Sequence, residues 1–130
     1  MNVVDSSAWL EYLGDGPCAP DFAQVIEKPG ELVVPSLTIF EVFKRTFQLK
    51  GEATALDAVA VMLQGRVADV TATTALDAAR ISLDESLPMA DSVILATARS
   101  QGAVLWTKDA HFAGLAGVEY REKQQVDAAG

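Results

Sequence analysis

The sequence predicts a three-layered α/β sandwich whose short central sheet is mainly parallel. Two observations lead to this fold class: apolar runs of three or four residues recur along the chain, and segments with apolar residues at helical spacing lie between them. Strands that are apolar on both sides are typical of parallel sheets covered by helices on both faces, because a strand with one exposed face alternates apolar and polar residues. A length of 130 residues fits a single domain.

In the first half of the chain, two apolar runs are each followed directly by a helical pattern. Residues that favour helix caps, Asp5 to Ser7, end the first run, and Pro35-Ser36 ends the second. The helix after the second run ends at Gly51, and another helical pattern begins at once, so we expect a helical hairpin. The predicted elements are a strand over 2–4, a helix ending before Gly14, a helix over 20–27, a strand over 32–34, a helix ending at Gly51 and a helix over 52–64.

The second half repeats the alternation. An alanine-rich helical pattern is interrupted at Leu87-Pro88, because proline favours the first turn of a new helix. An apolar run after Gly102 predicts a buried strand, and a last short run predicts an edge strand. The predicted elements are a strand over 66–70, helices over 71–85 and 89–101, a strand over 103–106, a turn or short helix over 111–117 and a strand over 118–120. We expect one domain over 1–121 and a polar tail over 122–130 that frays.

Composition excludes several classes of protein. A single cysteine, Cys18, and a single histidine, His111, can form neither an internal disulfide nor a zinc cluster of Cys and His ligands. The N-terminus lacks a basic leader, and no run of about 18 apolar residues could span a membrane, so we expect a cytoplasmic protein. The net charge of −8 argues against binding nucleic acid through bulk charge, unless cations or basic patches intervene.

Four acidic residues are expected at one edge of the sheet. Asp5 directly follows the first strand, and Asp109 comes shortly after the strand over 103–106. Glu41 and Asp91 lie in the early turns of two helices, and both can point back toward that edge. Because functional groups of open parallel sheets gather at the carboxyl ends of the strands, the four carboxylates could converge. Such a cluster is neutralised by hard cations, and two Mg²⁺ or Mn²⁺ ions about 3.5–4 Å apart are an established device for cleaving phosphodiesters.

Each of these acids also has a simpler explanation. Asp5 could cap a helix, Asp91 could complement a helix dipole, and Asp109 could be a turn residue. Glu41 could pair with Arg45 on the same helix. Convergence favours the metal hypothesis, and without these four acids the net charge would be −4 rather than −8, which is ordinary for a soluble domain.

The sequence resembles the PIN domains, and among them the VapC-type ribonuclease toxins of bacterial toxin–antitoxin pairs. Four motifs in order, spread over nearly the whole chain, carry the resemblance. They are Val3-Val4-Asp5-Ser6-Ser7-Ala8, the segment from Ser36 to Val42 around Glu41, the segment from Leu87 to Ala98 around Asp91, and Thr107-Lys108-Asp109-Ala110-His111-Phe112. Ser92 stands where the family more often has alanine.

The resemblance implies an endoribonuclease that depends on Mg²⁺ or Mn²⁺, with the four acids as metal ligands. Ser7 and Thr107 would orient carboxylates or water. Lys44, Arg45 and Lys108 are the candidates for contacts with RNA phosphates, and solvated surface charge is the alternative for each.

The resemblance also implies two protein partners, a cognate antitoxin and a second copy of the chain. Candidates for an apolar groove that receives an antitoxin helix are Trp9, Tyr12, Phe40, Phe43 and Phe47. We expect most of these aromatic residues in the core instead, Phe43 and Phe47 in particular. For His111 we expect a structural or capping role.

Two other functions fit parts of the pattern. A receiver-like signalling domain that accepts a phosphoryl group is also small, acidic and magnesium-dependent, but such domains usually carry adjacent acids after the first strand, where this chain has Asp5 followed by two serines. A catalytically inactive PIN-like binding module is the second alternative, and the presence of all four acids argues against it.

Overall fold

The chain folds around a five-stranded parallel sheet in the order β3-β2-β1-β4-β5. The computed structural model describes residues 1–122, so nearly all of the tail predicted over 122–130 lies outside the described residues. The strands are β1 (Asn2–Val4), β2 (Leu32–Pro35), β3 (Arg66–Ala68), β4 (Val104–Thr107) and β5 (Val118–Tyr120). The helices are α1 (Ser6–Leu13), α2 (Ala19–Ile26), α3 (Ser36–Lys50), α4 (Glu52–Met62), α5 (Ala72–Glu85) and α6 (Met89–Ser100). The predicted fold class is confirmed, with every predicted strand in place.

Two separate cores cover the two faces of the sheet. Val3 and Val33 point into a core formed with α5, α6 and the fully buried Phe112. Val4 and Val34 point the other way, into a core formed with α1 to α4. Neighbouring residues of β1 and β2 are thus buried on opposite faces, which is why these strands are apolar throughout rather than alternating.

Strand β1 lies at the centre of the sheet and positions the edge that matters for function. It pairs in parallel with β2 on one side and with β4 on the other. The chain therefore leaves β1, β2 and β4 at the same edge of the sheet, as the sequence predicted. Within the described residues, no helix is both long and apolar enough to cross a membrane.

Helix α3 buries a different face from the one that its phenylalanines suggest. The residues that pack inward are Thr38, Val42 and Thr46, one helical turn apart. Phe47 is 44% exposed, and Phe43, which is half-buried, stacks edge-on against it with ring centroids 5.7 Å apart. The expectation that Phe47 lies in the core is wrong and the one for Phe43 holds only in part, because small side chains line the side of α3 that packs inward.

Candidate metal centre

The four predicted acids occupy the carboxyl edge of the sheet. Asp5 follows β1 and caps α1, while Asp109 lies two residues beyond the end of β4. Glu41 lies in the second turn of α3, and Asp91 in the first turn of α6. Burial is the largest cause of the raised pKa values of Asp5, Glu41 and Asp91, and the charge of Asp109 adds to the rise in each. Among the described residues, Asp91 and Asp109 come within ligand distance of each other, together with His111. That all four acids meet at one ion stays a prediction.

Asp5 is the most deeply buried of the four acids, with only 3% of its surface exposed. Its Oδ1 accepts hydrogen bonds from the Ser7 hydroxyl at 2.7 Å and from the backbone N–H of Ala8 at 3.1 Å. Its Oδ2 accepts one from the Thr107 hydroxyl at 2.8 Å. Burial raises the pKa of Asp5 to about 6, although these hydrogen bonds oppose the rise. Asp5 thus caps a helix and also belongs to the acidic cluster, so the two interpretations are compatible.

Ser7 and Thr107 connect the ends of β1 and β4. Besides donating to Asp5, the Thr107 hydroxyl accepts a hydrogen bond from the backbone N–H of Asp109 at 2.9 Å. The Ser7 hydroxyl accepts one from the backbone N–H of Lys108 at 3.1 Å. Both hydroxyls therefore hold Asp5 and the segment before Asp109 in fixed relative positions, the orienting contacts that the sequence led us to expect.

Glu41 carries an unusual oxygen atom. Its Oε1 is buried and has no hydrogen-bond partner among the described residues. Burial raises the pKa of Glu41, and the charges of Asp91 and Asp109 raise it further, while Ser6 opposes the rise. In the described part of the chain no ion pair joins Glu41 to Arg45, the simpler explanation considered for it. A buried carboxylate oxygen without a donor is costly unless a cation or a proton meets it.

His111 lies beside two acids of the candidate metal centre. Its Nδ1 is 3.0 Å from Oδ2 of Asp91 and 3.4 Å from Oδ1 of Asp109. Asp109 in turn caps the short 3₁₀ helix Ala110–Phe112 by accepting a hydrogen bond from the backbone N–H of His111 at 2.9 Å. The ring thus contacts two of the acids, and a structural or capping role for His111 stays a prediction. The sequence held one signal for this position, the separation of only two residues between Asp109 and His111.

The three basic candidates are engaged outside the acidic cluster. Nζ of Lys108 forms an ion pair with Glu11 at 2.9 Å, and the two side chains are only 19% and 9% exposed. Lys44 lies over the ring of Phe40, with its Nζ 5.8 Å from the centroid. Arg45 lines a groove of about 450 Å³ between α1, α3 and α4, whose apolar lining includes Leu10, Leu13, Leu49 and Val61.

The composition of the cluster fits a divalent cation. Carboxylate oxygens are the ligands that Mg²⁺ and Mn²⁺ prefer, and Glu41 offers a buried oxygen that nothing in the described chain satisfies. Nδ1 of His111 and one oxygen each of Asp91 and Asp109 lie within 4.8 Å of one another, close enough to share one ion. Burial, and after it the charges of the neighbouring acids, raises the pKa values of Glu41 and Asp91, and such an ion would stabilise both carboxylates in their charged form.

Comparisons with solved structures find chains of the same fold. A toxin–antitoxin complex from Klebsiella pneumoniae contains a chain with a TM-score of 0.78 and 18% identity, covering 92% of this chain and 96% of that one. The Mycobacterium tuberculosis toxin VapC20, described as cleaving the sarcin–ricin loop, has a TM-score of 0.74 and 18% identity, with coverage of 89% and 95%. VapBC2 of Rickettsia felis, solved with a promoter DNA fragment, has a TM-score of 0.72 and 11% identity, with coverage of 93% and 97%.

At these identities the solved structures show that the fold is shared. Among curated proteins, no sequence matches significantly. The PIN domain family, however, matches residues 3–118, which is most of the chain and includes all four acids. This match confirms the resemblance inferred from the four acidic motifs and does not favour a receiver-like signalling domain. The chain belongs to the PIN domain family.

Proposed function

We propose that this protein is a divalent-metal-dependent endoribonuclease and the toxin of a toxin–antitoxin pair, with residues 1–121 as its catalytic unit. The observation that carries the proposal is the meeting of Asp5, Glu41, Asp91 and Asp109 at one sheet edge, with Oε1 of Glu41 buried and unpaired. Membership of the PIN family and a fold shared with solved toxins support the same reading. A protein that used these acids only as caps would gain nothing from burying an unsatisfied carboxylate oxygen.

In this proposal the four carboxylates hold Mg²⁺ or Mn²⁺, and each of the chain's own groups has a defined task. A divalent cation bound there supplies an activated water and neutralises charge on the phosphate. The Ser7 and Thr107 hydroxyls keep Asp5 aligned, so that this ligand needs no reorganisation when a cation arrives. The raised pKa values of Glu41 and Asp91 mean that protons and cations compete for the same oxygens.

RNA and the antitoxin would use the surface around the centre. Lys44 and Arg45 are on exposed positions of the helix that carries Glu41, so they are the proposed phosphate contacts on that side. Lys108 would reach a phosphate only by giving up its ion pair with Glu11. We propose that the cognate antitoxin places an apolar segment in the groove beside Arg45, that the chain acts as a homodimer, and that it works in the cytoplasm.

The test is cleavage of a structured RNA pool by the purified protein in Mg²⁺, in Mn²⁺ and in EDTA. Asp91→Asn should abolish the cleavage, because it removes a ligand charge while keeping the size of the side chain. Asp84→Asn is the matched control: the same substitution at an exposed position of α5, where activity should be unchanged. Cleavage that persists in EDTA or in Asp91→Asn would refute the proposal, and metal binding without any cleavage would favour the inactive binding module.

A further inference from the structure

The imidazole of His111 occupies the space where Asp91 and Asp109 face each other. Its Nδ1 approaches one oxygen of each carboxylate, at 3.0 Å and 3.4 Å. The three atoms lie within 4.8 Å of one another, so a single cation could contact all of them. His111 is the only histidine in the chain, so it is the one residue that can bring an imidazole nitrogen to the acidic cluster.

The backbone beneath this ring is held in place. Asp109 caps the 3₁₀ helix Ala110–Phe112 through its contact with the backbone N–H of His111. Phe112, the next residue, is fully buried in the core beneath α6 and the sheet. The His111 ring itself is 60% exposed, which leaves room for water or a phosphate oxygen beside it. A fixed backbone with an open side chain is the arrangement that a ligand at an accessible site requires.

Resting on the proposed function, we infer that His111 supplies a nitrogen ligand, through Nδ1, to a divalent cation that it shares with Asp91 and Asp109. Mg²⁺ favours oxygen ligands and loses its hydration shell reluctantly, whereas imidazole suits metals such as Fe²⁺, Ni²⁺, Cu²⁺ and Zn²⁺, and Mn²⁺ is ordinarily held by oxygen ligands. A nitrogen ligand therefore favours a transition-metal ion over Mg²⁺ at this site. Mn²⁺ stands at the weak end of the first-row affinity order, so it is the most demanding probe of this preference.

Pulsed electron paramagnetic resonance of the Mn²⁺-loaded protein tests the bond directly. A coordinated imidazole modulates the Mn²⁺ echo at nitrogen frequencies, and with one histidine in the chain that signal can come only from His111. The protein is purified without a polyhistidine tag. We expect nitrogen modulation in the wild type and none in His111→Asn, which keeps a hydrogen-bonding group of similar reach but removes the imidazole.

Calorimetric titration with Mn²⁺ and Mg²⁺, without RNA, gives the second readout. We expect tighter binding of Mn²⁺ than of Mg²⁺ by the wild type, and a loss of Mn²⁺ affinity of about tenfold or more in His111→Ala, at least the effect of removing an outer-shell partner. Mn²⁺ binding without nitrogen modulation, or with equal affinity in His111→Ala, would overturn the inference. That result would leave His111 as a hydrogen-bond partner that the cation displaces.

Neither measurement depends on RNA cleavage, so the two proposals can fail separately. Nitrogen modulation in a protein that cuts no RNA would support the His111 ligand and count against the nuclease. Metal-dependent cleavage without nitrogen modulation would support the nuclease and overturn the His111 ligand. Absence of Mn²⁺ binding in the wild type would overturn both.

Discussion

The acidic centre has two ends that differ in how their oxygens are satisfied. At the closed end, the buried Asp5 accepts hydrogen bonds on both oxygens from groups of the chain, chiefly the Ser7 and Thr107 hydroxyls. The open end consists of Asp91, Asp109 and the exposed His111. There Nδ1 of the exposed His111 ring lies between the two carboxylates, 3.0 Å from Asp91 and 3.4 Å from Asp109. The chain's own donors thus satisfy the closed end, whereas the open end is where we propose that an ion binds.

This difference separates two kinds of cost. At the closed end the protein gives up hydration of one carboxylate and offsets the loss with short hydrogen bonds, so changes there act on stability. At the open end the Asp91 and Asp109 side chains are 18% and 31% exposed, so burial and partial screening by solvent oppose each other, and we expect changes there to act mainly on binding. Glu41 stands between the two ends: its Oε1 is buried and has no hydrogen-bond partner among the described residues.

The largest expected effect is a pH dependence of stability that comes from Asp5. The folded protein keeps the proton of Asp5 up to a pKa of about 6, whereas the unfolded chain releases it near 3.8. The folded state binds more protons over this interval, so the free energy of unfolding falls by on the order of 3 kcal/mol in all as pH rises from well below 3.8 to well above 6, and by about 2 kcal/mol between pH 4.5 and pH 7.5. Urea unfolding in EDTA at pH 4.5 and pH 7.5 measures it.

Asp5→Asn provides the reference for this measurement, because the asparagine has no proton to lose. Other carboxylates titrate in both proteins, so the difference between the two pH slopes isolates Asp5. Glu41, Asp91 and His111 also have raised pKa values, so each of them also makes the free energy of unfolding fall as pH rises. For His111 this loss comes above its usual pKa of 6.5. These contributions are present in the wild type and in Asp5→Asn alike. Equal pH slopes in the two proteins would mean that the closed end is not strained by its charge.

Thr107→Val tests the hydrogen bonds of the closed end. The substitution keeps the shape of a fully buried side chain but removes the donor to Asp5 and the acceptor for the backbone N–H of Asp109. We expect the free energy of unfolding to fall by about 2 kcal/mol in EDTA, since a buried acceptor loses a donor and a buried N–H loses its partner. Ser100→Ala, which removes a hydroxyl at the exposed end of α6, should change it far less.

Lys108 and Glu11 tie the closed end to the turn after α1. Burial opposes ionisation of Glu11, but Lys108 and the backbone N–H of Cys18 outweigh it and lower the pKa of Glu11. Lys108→Met should therefore cost about 1 kcal/mol, because Glu11 loses its ion partner but keeps the hydrogen bond from the backbone N–H of Cys18. Lys44→Met, at an exposed position, should cost less. A double-mutant cycle of Lys108→Met and Glu11→Gln on the free energy of unfolding measures the ion pair alone. If Lys108 also contacts RNA, Lys108→Met should still weaken RNA binding when Glu11→Gln is present.

The topology followed from local patterns that are strong in this chain. Runs such as Val3-Val4 and Leu32-Val33-Val34 are buried on both faces, which is typical of a covered parallel sheet, and a capping side chain or a proline marks where each described helix other than α4 begins. The side of α3 that packs inward could not be predicted from these patterns. Phenylalanine spacing marks an apolar stripe but does not reveal that Thr38, Val42 and Thr46 are the residues that α3 buries.

The site was predictable to the extent that it depends on strand ends. Asp5, Asp109, Ser7 and Thr107 come directly from β1 and β4, so their meeting follows from which strands are neighbours. The directions of side chains on different elements could not be predicted from the sequence. For this reason, neither the ion pair of Lys108 with Glu11 nor the contact of the His111 ring with Asp91 was predicted. Both contacts depend on rotamers that the tertiary packing selects.

The smallest expected effect is that of Asp91→Asn on stability in EDTA, and it is the sharpest test of the open end. Asp91→Asn removes the contact with His111 and a negative charge that favours the first turn of α6, and both losses would lower stability. It also removes the cost of burying a charged carboxylate and the repulsion by Asp109, and both changes would raise stability. Because burial is the largest cause of the raised pKa of Asp91, we expect a slight gain, within about 0.5 kcal/mol. Urea unfolding in EDTA at pH 7.5 measures it, with Asp84→Asn as the control. A clear loss of stability would mean that Asp91 serves α6 rather than an ion, and the contrast between the two ends would fail.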